Sequence, residues 1–220
     1  MGTSSQASTE ITSDLLLQAY AVGVFPMAES REGELRWVDP DRRGILPLDR
    51  FHVSRTTRRV VRRGGFRVTM NRAFGQVVAK CAARPETWIN TEISRLYMEL
   101  HQRGFAHSVE VWDSEDDVLF GGIYGVSLGA AFFGESMFSS RTNGSKLALI
   151  WLMARLNAGG YMLMDTQFVT SHLAGFGAVE ISRGEYRARL AHAIQHHSDW
   201  TALSEDASSD DILHLSTQTS

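Results

Sequence analysis

The chain of 220 residues contains one cysteine, Cys81, and no long uninterrupted apolar stretch. A single cysteine excludes an internal disulfide framework and a cysteine-rich zinc site. The apolar stretches are short and are broken by glycine or by charge, so no segment is predicted to span a bilayer. Residues 1–14 are polar and lack the basic and apolar regions of a secretory signal. These absences predict a reduced, cytoplasmic protein that does not associate with a membrane.

Motifs of several common enzyme classes are absent as well. The sequence has no Gly-x-Ser-x-Gly nucleophile motif and no Walker phosphate-binding loop. His192 and His196 form one i, i+4 pair with His197 beside them, but no carboxylate or cysteine completes a set of metal ligands. Cys81 lies on the apolar face of a predicted helix, where packing in the core is its expected role. We therefore expect no metal and no cofactor.

The composition is that of an ordinary globular protein, with 43% hydrophobic residues, 21% charged residues and a net charge of −3. Acidic residues concentrate in the Ser- and Thr-rich residues 199–220, which are predicted to form a disordered tail. Arginines concentrate in a helix predicted to run to residue 63. We call this segment the arginine helix, after Arg55, Arg58, Arg59, Arg62 and Arg63. Because arginine binds phosphate in a bidentate manner, the segment predicts contact with a nucleic acid backbone despite the negative net charge.

The order of the predicted elements indicates an α+β fold. Periodicity and capping residues predict helices over residues 14–21, 54–63, 71–81 and 91–103. Three strands joined by tight turns follow between residues 108 and 137. A buried helix then begins at Asn143 or Ser145, and the remaining elements are a strand over 161–166, a short helix over 168–173, a strand over 178–181 and a helix over 183–196. This order is typical of the acyltransferase-type (GNAT) layout, a mixed, mostly antiparallel sheet flanked by helices.

The polar end of the strand over residues 161–166 is the first candidate site. Asp165 and Gln167 are two residues apart, so in a strand they point to the same face. They lie at the C-terminal end of an apolar strand, where α/β sheets commonly bind ligands. An acid beside an amide can orient an amine and accept its proton. The alternative is a solvated strand end with an ordinary Asp-Thr cap.

Glu135 and the loop that follows it form the second candidate site. Glu135 lies between Gly134 and Ser136 at the end of an apolar strand, where it could anchor a cationic group; the alternative is an edge-strand glutamate facing water. The loop Arg141–Lys146 enters a buried helix, and a helix N-terminus flanked by two cations is suited to phosphate. The loop partly matches the R-x-x-G-x-G/A loop that holds coenzyme A in acetyltransferases. Lys146 replaces the last small residue, and an ordinary capping loop is the alternative.

Trp88 is the third candidate, in a loop after Pro85, Glu86 and Thr87. An indole in such a loop can stack on a nucleotide base, an interaction with a free energy of about 1–3 kcal/mol. The alternative is that the side chain packs against the core.

Several short motifs occur along the chain in a specific order. They are Tyr20–Met27, Trp37–Pro40, Arg43-Gly44, Phe51–Arg55, Thr87–Ile89, His107–Trp112, Gly121–Val126, Gly134–Ser139 and Asp165–Gln167. As a series, they make the chain resemble the leucyl/phenylalanyl-tRNA–protein transferase family from about residue 15 to about residue 190. Each motif is weak on its own, and the specificity of the resemblance lies in their combination.

The resemblance implies a small N-terminal α/β domain, residues 1–55, joined to a GNAT-like aminoacyl-transfer domain, residues 56–198. It implies an aminoacyltransferase that uses leucyl-tRNA or phenylalanyl-tRNA, with methionine as a further donor amino acid. The acceptors would be proteins or peptides with N-terminal Arg or Lys, which the transfer marks for degradation. The expected state is a monomer.

Roles for single residues also follow from the resemblance. Asp165, Gln167 and Glu135 fall on catalytic or acceptor-binding positions, and Trp88 falls where the family stacks the terminal adenosine. The pocket for the apolar amino-acid side chain would be lined by Ile123, Phe132, Leu149, Leu152 and Met164. The arginine helix would bind the tRNA backbone without reading its sequence. Replacing Asp165 by alanine is then expected to reduce transfer without unfolding the protein.

The chain departs from the family pattern at four positions. Val38 stands where many members have a second tryptophan, Thr166 where cysteine is usual, Gly144 where alanine is usual and Ser140 where arginine is common. These changes bear on fine specificity. Two other functions are compatible with parts of the sequence: an acetyl-CoA-dependent N-acetyltransferase, through the loop Arg141–Lys146, and a non-catalytic RNA-binding module, through the arginine helix.

Overall fold

The computed structural model of the protein describes residues 11–28, 33, 35–84 and 87–217. Pro85 and Glu86, before the candidate Trp88, and residues 218–220 of the predicted tail lie outside the described residues. The helices are α1 (Ser13–Ala21), α2 (Arg55–Arg63), α3 (Phe74–Ala82), α4 (Thr91–Gln102), α5 (Gly144–Ala158), α6 (Ser171–Ala174), α7 (Arg183–Ala193) and α8 (Ser209–Ser216). The strands are β1 (Phe25–Ala28), β2 (Leu35–Val38), β3 (Arg42–Ile45), β4 (Phe66–Met70), β5 (Ala106–Asp113), β6 (Leu119–Leu128), β7 (Ala131–Ser139), β8 (Leu163–Gln167) and β9 (Val179–Ser182).

Within the described residues, the main sheet has seven strands in the order β4-β5-β6-β7-β8-β3-β9. Every neighbouring pair is antiparallel except β7 and β8, which run parallel because α5 connects them as a crossover. Strands β1 and β2 form a separate antiparallel pair. The predicted α+β class, with a mixed, mostly antiparallel sheet flanked by helices, is confirmed.

The N-terminal part of the chain is joined closely to this sheet. Strand β3 comes from the first 55 residues but lies inside the main sheet, between β8 and β9. Helix α1 packs against α4, β1 and β6. The domain boundary at residue 55 stays a prediction. Strands from before and after this residue are neighbours in the same sheet.

The buried apolar residues form two clusters, one on each face of the sheet. Successive residues of a strand point to opposite faces, and accordingly Tyr124 and Phe133 belong to one cluster while Ile123 and Phe132 belong to the other. Helices α1, α3, α4 and α7 cover the first face, which we call the α1 face. Helices α2, α5 and α8 cover the second, which we call the α5 face.

The prediction that residues 199–220 are disordered is wrong for the described part of this segment. Residues 209–216 form α8, which begins with a capping box between Ser208 and Asp211. Ile212 and Leu213 are buried against the α5 face, at 1% and 2% exposure. Before the helix, the carbonyl oxygen of Trp200 accepts a hydrogen bond of 2.8 Å from Arg155. A few apolar residues in a polar segment are therefore sufficient to hold it in place.

Asn71 does not cap the helix that follows it, contrary to the prediction. It has a left-handed backbone, with φ of 56°, and its Oδ1 accepts a 3.0 Å hydrogen bond from the backbone N–H of Ser108. Helix α3 begins at Phe74 instead. The fully buried carboxylate of Glu110 on β5 accepts bonds from the backbone N–H groups of residues 72 and 73, so it stabilises the start of α3 from a neighbouring strand.

Candidate active site

A groove opens where the two parallel strands of the sheet separate. The hydrogen-bonded pairing of β7 with β8 ends at Phe133 and Asp165, although both strands continue beyond these residues. The groove has a volume of about 500 Å³ and is lined by residues 134–137 of β7 together with Thr166 and Gln167 at the end of β8. Strand β1, the loop before α4 and helix α6 complete its walls. A crevice at the carboxyl ends of separating strands is a common ligand site in sheets of this kind.

Asp165 lies behind the groove wall and is completely buried. Its carboxylate accepts hydrogen bonds of 2.9 and 2.6 Å from Arg43, 2.7 Å from the Tyr186 hydroxyl and 2.8 Å from the backbone N–H of Gln167. The interpretation of a solvated strand end is wrong at this position. Because all these partners are fixed, Asp165 holds the end of β8 in one geometry.

Gln167 is the member of the predicted acid–amide pair that faces the groove. Its backbone adopts the left-handed conformation, with φ of 57°, so the strand turns sharply at this residue. Its side chain is 9% exposed, and its Nε2 is buried without a hydrogen-bond partner among the described residues. Asp165 therefore contacts Gln167 through the main chain, and the amide side chain remains available to a ligand.

Glu135 lines the opposite wall of the groove. Strand β7 lies between β6 and β8, so the interpretation of an edge-strand glutamate is wrong. The carboxylate accepts a 2.6 Å hydrogen bond from each of Tyr20 and Tyr97, and the two hydroxyl oxygens are 2.8 Å apart. Burial is the main cause that raises the pKa of Glu135 to about 7; Asp165 also raises it, whereas both tyrosines and Arg43 lower it. An acid with a shifted pKa in a groove is a candidate functional group.

Trp88 and Arg84 lie at one end of the groove. Trp88 is partly buried, lines the groove and meets Tyr97 edge to face at 6.5 Å. The guanidinium of Arg84 donates hydrogen bonds to the Ser136 hydroxyl at 2.5 Å and the Met137 carbonyl at 2.8 Å. The sequence motifs do not predict Arg84, although it lies only four residues before Trp88. This end therefore combines an aromatic face with a cation.

The apolar wall of the groove contains only part of the predicted amino-acid pocket. Ile123 and Met164 line the groove. Phe132, Leu149 and Leu152 do not line it; they are buried at 1% exposure or less in the same apolar cluster as Ile123 and Met164. They lie on the α5 face of the sheet and support the wall instead of forming it.

The loop before α5 matches the predicted phosphate site only in part, because one of the two cations expected to flank the helix start is already paired. Ser145, in the first turn of α5, lines the groove. Arg141, however, is paired with Asp113 at 2.5 Å and with Asp116 at 2.9 Å. Asn143 has a left-handed backbone, and its side chain does not cap α5. The hydroxyl of Ser139 accepts the hydrogen bond from the backbone N–H of Ser145 instead. One of the two expected cations is therefore engaged elsewhere.

His172 on α6 is a further groove residue that the sequence motifs do not single out. Its Nε2 is buried without a hydrogen-bond partner among the described residues. Burial, and then the positive charge of Lys146, lower the pKa of this imidazole. A neutral ring with one unpaired nitrogen can donate a hydrogen bond to a ligand or accept one from it.

The arginine helix is α2, and its residues do not line the groove. The Nε of Arg62 is 2.9 Å from Asp210 of α8, and the Nε of Arg58 donates to the carbonyl oxygen of Val53. Arg55, Arg59 and Arg63 are exposed. Within the described ranges these three arginines form no hydrogen bond and no ion pair, so their guanidinium groups face solvent.

Two further features are absent from the described part of the chain. In that part, His, Cys, Asp and Glu side chains do not form a group of three or more that could hold a metal ion. Among the same residues, helices long and apolar enough to cross a membrane do not occur.

A groove with a half-buried carboxylate and an apolar wall, at the point where two parallel strands of an α+β sheet separate, is the type of site at which such proteins bind a ligand. Comparison with known families gives the particular family. The model described as leucyl/phenylalanyl-tRNA protein transferase matches residues 45–191, and the model of its N-terminal domain matches residues 9–41. The chain belongs to the leucyl/phenylalanyl-tRNA protein transferase family and is an aminoacyltransferase.

Relatives named leucyl/phenylalanyl-tRNA–protein transferase match almost the whole chain. A protein of a Ruegeria species is 60% identical over 191 residues, 86% of this chain and 90% of its own length. A protein of Maricaulis maris is 56% identical over 210 residues, 93% of this chain and 96% of its own length. A protein of a Jannaschia species is 55% identical over 197 residues, 89% of this chain and 92% of its own length.

Two solved structures match part of the chain at 15% sequence identity each. L-PGS from Bacillus licheniformis has a TM-score of 0.40 and covers 71% of this chain and 53% of its own. A chimera of a spermidine N-acetyltransferase from Vibrio cholerae and hSSAT has a TM-score of 0.28 and covers 42% of this chain and 60% of its own.

Proposed function

We propose that the protein transfers leucine or phenylalanine from its tRNA to the N-terminal Arg or Lys of acceptor proteins and so creates a degradation signal. The observation that carries the proposal is a groove lined by an apolar wall at Ile123 and Met164 and by a half-buried carboxylate, Glu135. An apolar donor side chain and a cationic acceptor side chain would find complementary surfaces there. Methionine, which is also apolar and flexible, fits the same wall.

The donor would lie with its amino acid against the apolar wall and its terminal adenosine on Trp88. Met137 and Met164 both line the groove, and methionine side chains adapt to partners of different shape. A wall of this kind accommodates both a branched and a planar side chain. Arg84, beside Trp88, would face the phosphates of the tRNA end as a cation.

The acceptor would place its cationic side chain on Glu135. A half-buried carboxylate on the wall of a groove forms strong charge-assisted hydrogen bonds with guanidinium or ammonium groups. The α-amine of the same residue would then lie towards the end of β8, where the Gln167 amide faces the groove.

The reaction needs no activation step, because the aminoacyl ester is already reactive. The α-amine attacks the ester carbonyl, the bond to the tRNA 3′ oxygen breaks, and the proton lost by the amine is available to that oxygen. An α-amine has a pKa of about 7.7–8.0, so a useful fraction is neutral near pH 7. Gln167 would orient the amine, Asp165 would fix Gln167 through its backbone, and proximity would supply much of the rate.

The arginine helix would bind the tRNA backbone by charge alone. Arg55, Arg59 and Arg63 would carry most of this contact, because Arg58 and Arg62 already bond within the protein. We expect a cytoplasmic monomer that acts without a metal or cofactor.

The direct test is transfer of labelled leucine from leucyl-tRNA to peptides that differ only in their first residue. Peptides beginning with Arg or Lys should be labelled, and the peptide beginning with Glu should not. Uncharged leucine with ATP, or acetyl-CoA in place of the tRNA, should label none of them. Labelling from acetyl-CoA, or tRNA binding without any transfer, would contradict the proposal.

A further inference from the structure

Three hydroxyl and carboxyl groups form a closed ring beneath the groove. Tyr20 and Tyr97 each lie 2.6 Å from a different oxygen of Glu135, and their own oxygens are 2.8 Å apart. Both tyrosines are 0% exposed. They reach Glu135 from two different helices, α1 and α4, so the ring depends on the packing of the α1 face.

The number of protons in the ring depends on the state of Glu135. Each tyrosine hydroxyl has one proton to donate. When both protons point to an ionised Glu135, the 2.8 Å contact between the hydroxyl oxygens contains no proton. When Glu135 is protonated, three protons are present for three contacts, and every contact is a hydrogen bond.

Among the described residues, no cationic side chain forms a hydrogen bond or an ion pair with the carboxylate of Glu135. Arg43 is nearby but its guanidinium is bonded to Asp165 and to the carbonyl of Gly23. From β6, Tyr124 faces the ring as a neutral group whose hydroxyl has no partner among the described residues. Arg84 of the groove wall is bonded to Ser136 and Met137. A desolvated carboxylate without an ion-pair partner favours its neutral form.

We propose that Glu135 carries one proton in the empty groove, that Tyr20 and Tyr97 are positioning residues that fix its two carboxyl oxygens, and that the cationic side chain of the acceptor displaces this proton when it binds. The inference rests on the proposed role of Glu135 in acceptor binding. When the guanidinium or ammonium arrives, the carboxyl O–H bond breaks, the proton leaves to solvent and both tyrosines donate to the carboxylate. A neutral first residue cannot drive this exchange, so the ring adds to the selection of Arg and Lys.

The proposal predicts a pH dependence that is specific to cationic acceptors. The pKa of Glu135 is raised to about 7. Below this pH, binding of a cationic acceptor includes the free-energy cost of ionising Glu135, whereas above it the group is already ionised. The expected loss is about tenfold in acceptor selectivity per pH unit on the acid side. Above the pKa, selectivity should be constant.

The experiment compares a peptide that begins with Arg and the same peptide beginning with citrulline, the neutral isostere of Arg. The kcat/KM of each peptide is measured with leucyl-tRNA between about pH 5.5 and about pH 8.5. Both peptides have the same α-amine, so its titration cancels in the ratio. The Arg-to-citrulline ratio should rise with pH and level off near the pKa of Glu135.

Three variants assign the effect to the ring. In Glu135→Gln the ratio should be low and independent of pH. In Tyr97→Phe the ionised carboxylate keeps only the hydrogen bond from Tyr20, and because the hydrogen bond from Tyr97 lowers the pKa of Glu135, the midpoint should move to higher pH. Tyr161→Phe removes another buried tyrosine hydroxyl, one that bonds to Ser127 away from the groove, and should keep the wild-type profile. Circular dichroism confirms that each variant is folded at every pH used.

The possible outcomes separate this inference from the proposed function. A ratio that stays high and flat with pH, with normal transfer to the Arg peptide, overturns proton displacement and leaves the proposed function intact. A midpoint that is the same in Tyr97→Phe and in the wild-type protein overturns the role of the tyrosines. Absence of transfer to either peptide at any pH overturns both.

Discussion

Arg43 and Asp165 are the most deeply buried charges beside the groove, at 1% and 0% exposure. The guanidinium also lies between the rings of Phe25 and Tyr186, 4.4 Å from the centre of each. Such a pair fixes the end of β8, because neither partner can move without leaving a charge uncompensated. The left-handed turn at Gln167 is therefore held by the ion pair behind it.

This arrangement changes the expected effect of replacing Asp165. The sequence alone predicts that Asp165→Ala reduces transfer without unfolding the protein. In the structure, the variant leaves Arg43 buried without its partner, and we expect the free energy of unfolding to fall by about 3–5 kcal/mol in addition to a loss of transfer. Urea denaturation followed by circular dichroism measures the change.

Asp210→Ala is the matched control, because it removes an exposed partner of another arginine, Arg62. An exposed ion pair contributes about 0–1 kcal/mol, so this variant should keep nearly wild-type stability. If Asp165→Ala proved as stable as Asp210→Ala, the ion pair would not have the stabilising role described above.

At the scale of single residues, the sequence identifies candidate site residues where they occur in short motifs. Glu135, Gln167, Trp88, Ile123 and Met164 all line the groove as expected. Their partners could not be predicted, because Arg43 is 122 residues from Asp165 and Tyr20 is 115 residues from Glu135 along the chain. Only the packing of α1 and β3 against the later strands brings these groups together.

The helices and strands were predictable wherever a local signal exists. Ser54 caps α2 through its side chain, as its sequence position indicates. For α8 the local signal is limited to the capping box of Ser208 and Asp211, because its apolar residues are few and its neighbours are acidic or small. It is misleading at Asn71, where Glu110 from a distant strand supplies the capping interaction. Long-range partners, not local propensity, decide these two cases.

Helix α8 should contribute to global stability, although its sequence is that of a tail. Ile212 is 1% exposed and packs in the apolar cluster of the α5 face. Ile212→Ala should lower the free energy of unfolding by about 2–5 kcal/mol, because it removes buried apolar contacts and leaves a cavity. Val22→Ala, at a residue that is 61% exposed, is the control and should have little effect. Equal stability of the two variants in urea would mean that α8 does not pack on α5 in solution.

The exposed arginines of α2 give a prediction about salt. Replacing Arg55, Arg59 and Arg63 by glutamine should weaken tRNA binding, and the slope of log affinity against log salt should decrease by about 0.7–0.9 for each phosphate that the variant no longer neutralises. Filter binding at several salt concentrations measures the slope. Arg189→Gln is the control, because Arg189 lies on α7, away from the arginine helix, and pairs there with Glu185. An unchanged slope in the triple variant would remove the arginine helix from the tRNA-binding surface.

At the scale of the whole molecule, two titratable groups on opposite faces of the sheet have opposite effects on the pH dependence of stability. Burial, with His101 and Arg155 adding to it, lowers the pKa of His107 from 6.5 to about 4, where it stacks on Trp200 on the α5 face. Burial raises the pKa of Glu135 from 4.5 to about 7 on the α1 face. The stability from His107 is present above pH 6.5 and is lost as the pH falls towards 4. The stability from Glu135 is present below pH 4.5 and is lost as the pH rises through 7.

Between about pH 4.5 and 6.5 the two effects should cancel, because folding takes up one proton at Glu135 and releases one at His107. Single variants should reveal each effect, since the other acids of the protein titrate alike in all three proteins. Relative to wild type, Glu135→Gln should lose about 1.4 kcal/mol of unfolding free energy for each pH unit of acidification in this window, and His107→Gln should gain a similar amount. Urea denaturation at half-unit steps of pH measures the slopes. Parallel pH profiles for the three proteins would show that neither group changes its protonation on folding, and the protonated state of Glu135 in the empty groove would then have to be abandoned.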